Sequence, residues 1–503
     1  MTETFMKTCI KNLFLLPALM TGLGLIQPVT AQIFTTLHTF TAISGSNYTN
    51  SDGAQPYAGL ILSGNTLYGA ANAGGTNGSG TVFAINTNGA GYTVLYTFTA
   101  INYNGSFDTN SDGYSPETGL IISGNTLYGT TFAGGTNGSG TVFAINTNGT
   151  GFTVLYTFTA LSGSRYTNSD GAYPYGTLIL SGNTLYGEAS EGGTNNGGTV
   201  FAINTNGTRF TNLYTFTFGN DGGDPVGGLT LSGNSLYGTT YGGGSFGHGT
   251  VFAVNINGTG FTTLHNFTTV SGSPYTNSDG ANPDCTLILS GNTLYGTTTA
   301  GGTHGFGTVF ALNINNTNLT TLHTFAGGSD GRSPYAGLIL SGNTLYGTAA
   351  GAQIFPPPEG GTNGSGTMFA INTDGTGFTN LYNFTLTRTN SSGAFTNSDG
   401  VLPTAGLILS GSTLYGTAQY GGSSDNGTVF GLNLVPSLGI TAAGNQVLLS
   451  WPTWAPNFNL LTATNLAEPI VWATASPAPV VVNAQNIVTN PISETQQFFR
   501  LSQ

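Results

Sequence analysis

Charged residues are scarce in this sequence of 503 residues, in which Asp, Glu, Lys and Arg together make up 5%. Lysine occurs only as Lys7 and Lys11, and five arginines supply the remaining positive charge. A protein so poor in cations cannot neutralise a row of phosphates or hold itself to an anionic lipid surface. The composition therefore argues against nucleic acid and against anionic membranes as partners.

Cysteine is also nearly absent, since the chain contains only Cys9 and Cys285. Cys9 lies in an N-terminal segment that we expect to be removed, which would leave Cys285 without an intrachain partner. Stability must then come from packing rather than from disulfide bonds. After residue 31 no segment reaches the roughly 18 apolar residues of a membrane span, so no transmembrane segment is predicted in the mature chain.

The first 31 residues have the pattern of a secretory signal peptide. Lys7 and Lys11 form a basic start, residues 12–26 are mostly apolar, and Val29-Thr30-Ala31 is a small-residue cleavage site. Cleavage would leave five arginines against 18 acids, a net charge of −13. The predicted location is extracellular or at the cell surface, with the periplasm as an alternative.

Glycine and aromatic residues are abundant and regularly spaced, because seven copies of one unit fill residues 33–434. Leu-Tyr-Gly is centred on Tyr68, Tyr128, Tyr186, Tyr237, Tyr295, Tyr346 and Tyr415. Gly-Thr-Val-Phe ends at Phe83, Phe143, Phe201, Phe252, Phe310, Phe369 (where Met replaces Val) and Phe430. Leu-(Tyr/His)-x-Phe begins at Leu37, Leu95, Leu155, Leu213, Leu264, Leu322 and Leu381. Self-similarity at about fifty to sixty residues indicates a propeller, a solenoid or an array.

Each unit is predicted to form four short antiparallel strands, as residues 59–98 illustrate. Two apolar runs flank the tight turn Ser63-Gly64-Asn65, a Gly/Asn-rich loop follows, and residues 81–86 alternate between polar and apolar. Asn88-Gly89 then marks a hairpin into the last strand. Four strands repeated seven times predict a seven-bladed β-propeller of the all-β class over residues 32–434.

The two ends of the repeat array are complementary. Residues 33–40 have the sequence of a fourth strand without the first three, and residues 406–434 supply three strands without a fourth. We expect these segments to pair, completing blade seven and removing exposed strand edges. An open β-solenoid is the structural alternative, but it gives no reason for this split.

Residues 436–503 depart from the repeat and contain all three tryptophans, Trp451, Trp454 and Trp472. Several short strand-like runs over about 68 residues predict a small β-sandwich-like domain, fibronectin- or immunoglobulin-like. Few acids and no histidine fit an attachment or sorting domain better than a catalytic one.

The repeat unit Asp-Gly-x-x-Pro, Gly-Leu-Ile-Leu, Leu-Tyr-Gly-Thr-Thr, Gly-Gly, Gly-Thr-Val-Phe and Leu-Tyr-x-Phe resembles the Gloeobacter/Verrucomicrobia tandem repeat, or GloVer repeat. The resemblance covers about 400 residues. The tail, with Leu449-Ser450-Trp451-Pro452 and Phe498-Phe499-Arg500-Leu501, is similar to a C-terminal domain of secreted verrucomicrobial proteins. The resemblance implies an exported repeat protein with a variable attachment module, and it implies no activity.

Catalytic templates find little support in the sequence. His38, His265 and His323 occupy the Tyr position of Leu-(Tyr/His)-x-Phe, and His248 and His304 fall in the Gly/Asn-rich loops. A glycan-active hydrolase or lyase, which remains the alternative function, would need paired acids. The candidates are Glu188 and Glu191, which we place on one loop, where they could equally form a solvated local pair.

Seven aspartates open the repeats as part of Asp-Gly. They are Asp52, Asp112, Asp170, Asp221, Asp279, Asp330 and Asp399. The simplest interpretation is a turn whose carboxylate accepts backbone N–H groups. Asp108, Asn110 and Asp112 also match the start of a calcium loop, although Gly119 stands where the bidentate Glu should be. No other cofactor is expected, and a weak calcium site would give at most a small rise in melting temperature.

Loop lengths predict where binding would occur. In each unit the turns between strands one and two and between strands three and four are tight. The loops between strands two and three and the connections between sheets are long. We call the end that carries these long loops the loop face. Length variation on one face of a rigid scaffold is typical of a binding surface. Its expected ligand-binding aromatics are Tyr48, Phe107, Tyr166, Tyr275 and Phe395. The leading hypothesis is a monomeric, non-enzymatic binding or surface-structural protein for carbohydrate or another surface polymer.

Overall fold

The computed structural model describes residues 32–103, 108–351, 364–390, 394–436, 438–454, 458–465, 470–482, 485–491 and 497–502. Regular structure in these ranges is β-strand apart from one short 3-10 helix, Gly422–Ser424. The predicted all-β class is therefore confirmed. The chain divides into two compact units, Phe34–Leu432 and a second that combines Asn433–Gln503 with the residues up to Ile33.

The Phe34–Leu432 unit contains seven four-stranded antiparallel sheets, numbered here in chain order. The first strand of the chain is β1 (Ile33–Thr39). Sheet one contains β2 (Ile61–Ser63), β3 (Thr66–Ala71), β4 (Thr81–Asn86) and β5 (Thr93–Thr97). A two-stranded ribbon follows, β6 (Asn102–Tyr103) with β7 (Asp108–Thr109). Sheet two contains β8 (Ile121–Ser123), β9 (Thr126–Thr131), β10 (Thr141–Asn146) and β11 (Thr153–Thr157).

The next four sheets repeat this order of strands. Sheet three contains β12 (Ile179–Ser181), β13 (Thr184–Ala189), β14 (Thr199–Asn204) and β15 (Thr211–Thr215). Sheet four contains β16 (Thr230–Ser232), β17 (Ser235–Thr240), β18 (Thr250–Asn255) and β19 (Thr262–Asn266). Sheet five contains β20 (Ile288–Ser290), β21 (Thr293–Thr298), β22 (Thr308–Asn313) and β23 (Leu319–Thr324). Sheet six contains β24 (Ile339–Ser341), β25 (Thr344–Ala349), β26 (Thr367–Asn372) and β27 (Thr379–Asn383).

Sheet seven combines strands from both ends of the array. A second ribbon, β28 (Arg388–Thr389) with β29 (Phe395–Thr396), precedes it. Its own strands are β30 (Ile408–Ser410), β31 (Thr413–Ala418) and β32 (Thr428–Asn433). The fourth position, beside β32, is taken by β1.

The recurring motifs form these sheets because their side chains interlock. Leu67 and Phe83 are fully buried, and a Cβ on Gly69 would lie 2.6 Å from the Phe83 ring. The glycine of Leu-Tyr-Gly is thus needed because the phenylalanine ring of Gly-Thr-Val-Phe packs directly over the backbone of that glycine. A bulge between Val82 and Phe83 shifts the register with β5, and bulges of this kind increase the local twist.

Consecutive sheets pack face to face through aromatic and aliphatic side chains. Between sheets one and two, Phe98 and Val82 contact Leu120 and Phe143 in one buried cluster. The equivalent cluster at the other end of the array joins Leu60, Phe83 and neighbours of sheet one to Tyr415 and Val429 of sheet seven.

A backbone hydrogen bond also joins each sheet to the one before it. The N–H of the residue before the repeat's proline donates to a loop carbonyl of the preceding sheet, at 2.8–3.1 Å. The seven donors are Gln55, Ser115, Tyr173, Asp224, Asn282, Ser333 and Leu402, and all have φ between 50° and 57°. Gln55 bonds the carbonyl oxygen of Asn426 in sheet seven. A Cβ on Gly427 of sheet seven would lie 2.5 Å from Pro56 Cδ, so this junction has no room for a side chain.

The second unit contains two further sheets. One has the order β33 (Gly439–Ala443), β34 (Gln446–Pro452), β38 (Gln485–Pro491) and β37 (Val480–Val482). The other has the order β36 (Ala473–Thr474), β35 (Asn459–Ala463) and β39 (Phe498–Ser502). Trp451 of the first sheet and Leu460 of the second are buried in one cluster.

Across the described ranges, no helix is long and apolar enough to span a membrane.

Candidate functional site

Each repeat aspartate is the acceptor in a hydrogen-bonded turn. Asp112, for example, accepts from the Tyr96 hydroxyl at 2.7 Å, from the Thr99 N–H at 3.1 Å and from the Thr99 hydroxyl. Asp279 has the corresponding partners His265 Nε2, at 3.0 Å, and both donors of Thr268. The aspartates therefore fix the start of each connection between sheets.

The same contact explains why histidine replaces tyrosine in three repeats. His38 Nε2 lies 3.0 Å from Asp52 Oδ2 and His323 Nε2 lies 3.3 Å from Asp330 Oδ2, where other repeats place a tyrosine hydroxyl. Burial alone would raise the pKa of Asp52, but hydrogen bonds from His38 and Thr41 outweigh it and lower the pKa. These histidines have a structural partner in the turn.

The proposed calcium ligands are occupied by the same turn. Asn110 Oδ1 accepts from the N–H groups of Gly113 and Gly135, at 2.8 and 3.0 Å. Both carboxylate oxygens of Asp112 also accept hydrogen bonds. Asp108 lies in β7, where it pairs with Tyr103, and the described residues contain no cluster of three or more His, Cys, Asp or Glu side chains able to hold a metal ion. The geometry favours the turn interpretation, and a calcium site at these three residues stays a prediction.

Three of the predicted ligand-binding aromatics project into solvent from matching hairpins. Tyr48, Tyr166 and Tyr275 are 64%, 58% and 69% exposed. We call these three residues the hairpin tyrosines. Phe395 is half-buried in β29, and Phe107 lies outside the described residues.

Each hairpin is closed by a reciprocal pair of backbone hydrogen bonds. Ser44 and Thr49 exchange two bonds, at 2.9 and 3.0 Å, around Tyr48. Ser162 with Thr167 and Ser271 with Thr276 do the same around the other two tyrosines, at 2.9–3.1 Å. The rings are therefore carried on ordered loops and need little further ordering to bind a ligand.

The placement of Glu188 and Glu191 on one loop was wrong. Glu188 belongs to β13, is 0% exposed, and accepts from the Gly228 N–H at 2.8 Å. It fits there because the neighbouring positions Gly176 and Gly238 lack side chains that would collide with its carboxyl oxygens. Burial raises the pKa of Glu188 to about 8, although the Gly228 bond opposes this shift. Glu191 lies beyond the strand and its backbone pairs with Ala172.

Seven other residues converge on one cavity that the sequence analysis did not identify. Each follows the repeat's proline: Tyr57, Glu117, Tyr175, Val226, Asp284, Tyr335 and Thr404. The cavity, of about 90 Å³, is lined by all seven together with small residues beside them. Because every sheet contributes this one position, we call it the shared cavity.

Tyrosine rings and carboxyls dominate the shared cavity. The Tyr57 and Tyr175 rings lie 6.0 Å apart in an edge-on arrangement. Burial is the largest cause that raises the pKa of Tyr57, and the charge of Asp284 raises it further. The Tyr57 hydroxyl therefore stays protonated at neutral pH. Burial raises the pKa of Glu117 to about 7. Burial also raises the pKa of Asp284, to about 8.

Three polar side chains of the cavity have no partner among the described residues. Neither Glu117 nor Asp284 has a hydrogen bond or an ion pair to those residues. The hydroxyl of Thr404, which is 5% exposed, is also unpaired. Thr404 is buried, Glu117 and Asp284 are half-buried, and buried polar groups normally have partners, so the unpaired Thr404 hydroxyl beside two unpaired carboxyls indicates a place for a ligand or ordered water.

A signal for this cavity was present in the sequence. Proline is constant at its position in all seven repeats and leucine is constant four residues later, whereas the residue directly after the proline is Tyr, Glu, Tyr, Val, Asp, Tyr or Thr. A variable position between constant ones marks where a repeat is free to carry function.

Three overlapping segments, residues 25–169, 102–278 and 163–353, match the Gloeobacter/Verrucomicrobia repeat. No curated protein matches the sequence significantly.

The solved structures that are similar to this chain are distant from it. An oligogalacturonate lyase from Vibrio parahaemolyticus is 9% identical, over 82% of this chain and 96% of that one, with a TM-score of 0.47. An oligogalacturonate lyase in complex with manganese is also 9% identical, over 81% and 94%, with a TM-score of 0.44. TolB from Acinetobacter baumannii is 13% identical, over 59% and 58%, with a TM-score of 0.34.

Proposed function

The chain belongs to the Gloeobacter/Verrucomicrobia repeat family, and from that premise we propose that it is an exported, non-enzymatic binding module whose loop face holds carbohydrate. The observation that carries this proposal is the set of three hairpin tyrosines, each exposed on an equivalent, hydrogen-bonded loop. A solvent-facing aromatic ring can stack on the apolar face of a sugar, while neighbouring amides and hydroxyls bind its hydroxyl groups.

A long polymer suits this arrangement better than a single sugar. Tyr48, Tyr166 and Tyr275 lie in the connections to sheets one, three and five, so they form separate contact points on one scaffold. When one chain occupies several weak sites, the second contact is intramolecular and overall affinity rises. The strong excess of acids over cations disfavours acidic polymers, so we infer a neutral polysaccharide.

The scaffold in this proposal is a seven-bladed β-propeller closed by β1. Closure is supported by the hydrogen bond from Gln55 to Asn426 and by the contacts of Tyr415 and Val429 with sheet one.

A chain shortened to begin at Thr41 should lose most of its thermal stability, because sheet seven would keep an unpaired edge. A chain ending at Leu434 should keep the propeller transition, since we propose that residues 436–503 form a separate attachment or sorting domain. Equal melting temperatures for the chain without β1 and the full mature chain would contradict closure.

A glycan-active hydrolase or lyase is less well supported. Glu188 is enclosed between strands and cannot reach a polymer. Glu117 and Asp284 are more accessible, but burial accounts for both of their raised pKa values. A pKa raised by burial does not by itself indicate a general acid.

The carbohydrate proposal is tested by pull-down of the mature protein on insoluble neutral polysaccharides, cellulose, chitin and mannan, with polygalacturonate as the acidic comparison. We expect retention on at least one neutral polymer and none on the acidic one. Replacing all three hairpin tyrosines by alanine should abolish retention, whereas replacing all three by phenylalanine should preserve it, because stacking needs the ring and not the hydroxyl.

All three positions are exposed, so neither triple variant should change the melting temperature by more than a few degrees. Failure of the wild type to bind any polymer would contradict the proposal, as would retention of the alanine variant at the wild-type level.

A further inference from the structure

The shared cavity contains two carboxyl groups that no cation among the described residues pairs with. Glu117 and Asp284 face it without a hydrogen bond or an ion pair to the described residues. Arg332 is the one cation within the seven Asp-Gly-x-x-Pro stretches that precede the cavity residues, and its guanidinium lies over the Phe306 ring, 5.8 Å from the centroid. Among the described residues the two acids therefore have no counter-ion, and enclosing an unpaired carboxylate is costly.

Two further acids, Asp224 and Glu191, lie outside the lining of the cavity. Asp224 lies two residues before Val226, and the charge of Glu191 contributes, after burial, to raising the pKa of Asp224 to about 6. Burial raises the pKa of Glu191 as well. Where they are ionised, both add to the chain's excess of negative charge, which attracts cations.

Aromatic rings supply the other part of a cation site. Tyr57, Tyr175 and Tyr335 line the cavity together, and burial raises the pKa of each, so all three are neutral phenols at physiological pH. The face of a tyrosine ring attracts a cation within about 6 Å of its centroid. Tyrosine faces combined with carboxyls are the chemistry that recognises alkylated ammonium groups.

We propose that the shared cavity binds a small organic cation, an ammonium group held between the tyrosine rings and the Glu117 and Asp284 carboxyls. The unpaired Thr404 hydroxyl provides a polar contact on the same wall. A cavity of about 90 Å³ has room for several waters, each of which needs roughly 10–15 Å³ by this measure, and therefore for a head group of a few heavy atoms. A metal ion is disfavoured because the described residues contain no cluster of metal-ligating side chains.

The site is independent of the hairpin tyrosines and uses different residues. Its loss would leave polysaccharide retention intact, and loss of polysaccharide retention would leave this site intact. The two proposals can therefore fail separately.

The test is isothermal titration calorimetry of the full mature chain at pH 8 with choline as the probe, compared with dimethylbutanol, its uncharged carbon isostere. We expect choline to bind at least about 10-fold more tightly than the alcohol, because only the cation gains ring and carboxylate attraction. Replacing Glu117 by Gln together with Asp284 by Asn should weaken choline binding at least about 10-fold without weakening alcohol binding.

Asp374→Asn is the matched control. Asp374 is an exposed acid in the turn between β26 and β27, away from the loop face, and four other repeats have asparagine there: Asn88, Asn148, Asn206 and Asn257. This variant removes one negative charge and should bind choline as the wild type does.

Proton release gives a second readout. Glu117 and Asp284 are protonated in part near pH 7, and a bound cation favours their ionised forms, so choline binding should release protons and strengthen from pH 6 to pH 8. Titration in two buffers of different ionisation enthalpy measures this release. The facing phenols Tyr57, Tyr175 and Tyr335 remain neutral over that range.

Equal affinity for choline and the alcohol would overturn the proposal, as would unchanged choline binding in the double variant. Absence of choline binding combined with calcium or magnesium binding that the double variant loses would overturn it in favour of a metal site.

Discussion

Asp279 and Asp284 lie five residues apart in one repeat and have opposite environments. Asp279, in the turn, accepts hydrogen bonds from Thr268 and His265. Burial would raise the pKa of Asp279, but those hydrogen bonds outweigh it and lower the pKa. Asp284, in the shared cavity, has no such partner, and burial raises its pKa to about 8. The same side chain is structural in one region and unsatisfied in the other.

The difference shows how this repeat separates architecture from function. The turn aspartate recurs in all seven repeats with donors at equivalent places. The cavity position changes from repeat to repeat, and its acids are left without donors. A polar group that stabilises the fold has its hydrogen-bond partners within the protein, whereas a polar group that binds a ligand finds its partner on the ligand.

The largest expected effect is the loss of a turn aspartate. Asp279→Ala leaves the Thr268 N–H and its hydroxyl without their acceptor and should lower the free energy of unfolding by about 2–4 kcal/mol. Asp284→Asn, five residues away, should leave stability unchanged or raise it at pH 8, since it removes a half-buried carboxyl that has no partner among the described residues. Urea denaturation of both variants at pH 8 measures the contrast, and equal destabilisation would show that the two regions do not differ as described.

The pH dependence of stability should also separate the two regions. A carboxyl whose pKa is raised in the folded state opposes folding as pH rises from its unfolded pKa to its folded one. Glu117 and Asp284 should therefore lower the melting temperature between about pH 4 and pH 8. The variant with Glu117→Gln and Asp284→Asn should show a flatter profile, with a residual slope from Glu188 and Asp224. An unchanged slope would place the titrating groups elsewhere.

The turn aspartates should act with the opposite sign and in a lower window. The folded pKa values of Asp52 and Asp279 are lowered, so their stabilisation is present above about pH 4 and is lost as pH falls through the folded values. Scanning calorimetry from pH 2 to pH 5 should show a steep loss of stability that Asp279→Asn makes shallower. A loss as steep in that variant as in the wild type would contradict this assignment.

A smaller effect is expected from exchanging the donor to Asp279. His265→Tyr should change the free energy of unfolding by less than about 0.5 kcal/mol, because tyrosine makes this contact in other repeats. His265→Phe keeps the ring but removes the donor, and it should cost about 1–2 kcal/mol. Equal stability of the two variants would mean that ring packing, and not the hydrogen bond, decides this position.

Calcium should have the smallest effect. Because the oxygens of Asn110 and Asp112 already accept hydrogen bonds, millimolar calcium should shift the melting temperature little or not at all relative to chelator. A clear rise that Asp108→Asn with Asp112→Asn abolishes would restore the calcium interpretation.

The sequence by itself determined the all-β class, the number of repeats and the pairing of residues 33–40 with the strands of the last repeat. Local patterns were enough because alternation, Asn-Gly turns and recurring motifs specify strands and hairpins directly. The exposure of the hairpin tyrosines also followed the expectation from loop length.

The shared cavity was decided only by the tertiary structure. Its acids, Glu117 and Asp284, are 167 positions apart in the chain and meet because each sheet places the residue after its proline at one common point. Glu188 likewise resembled a loop residue in sequence, yet the neighbouring glycines Gly176 and Gly238 make room for it inside the protein. Burial and the lack of partners are properties of how the sheets pack together, which no local pattern contains.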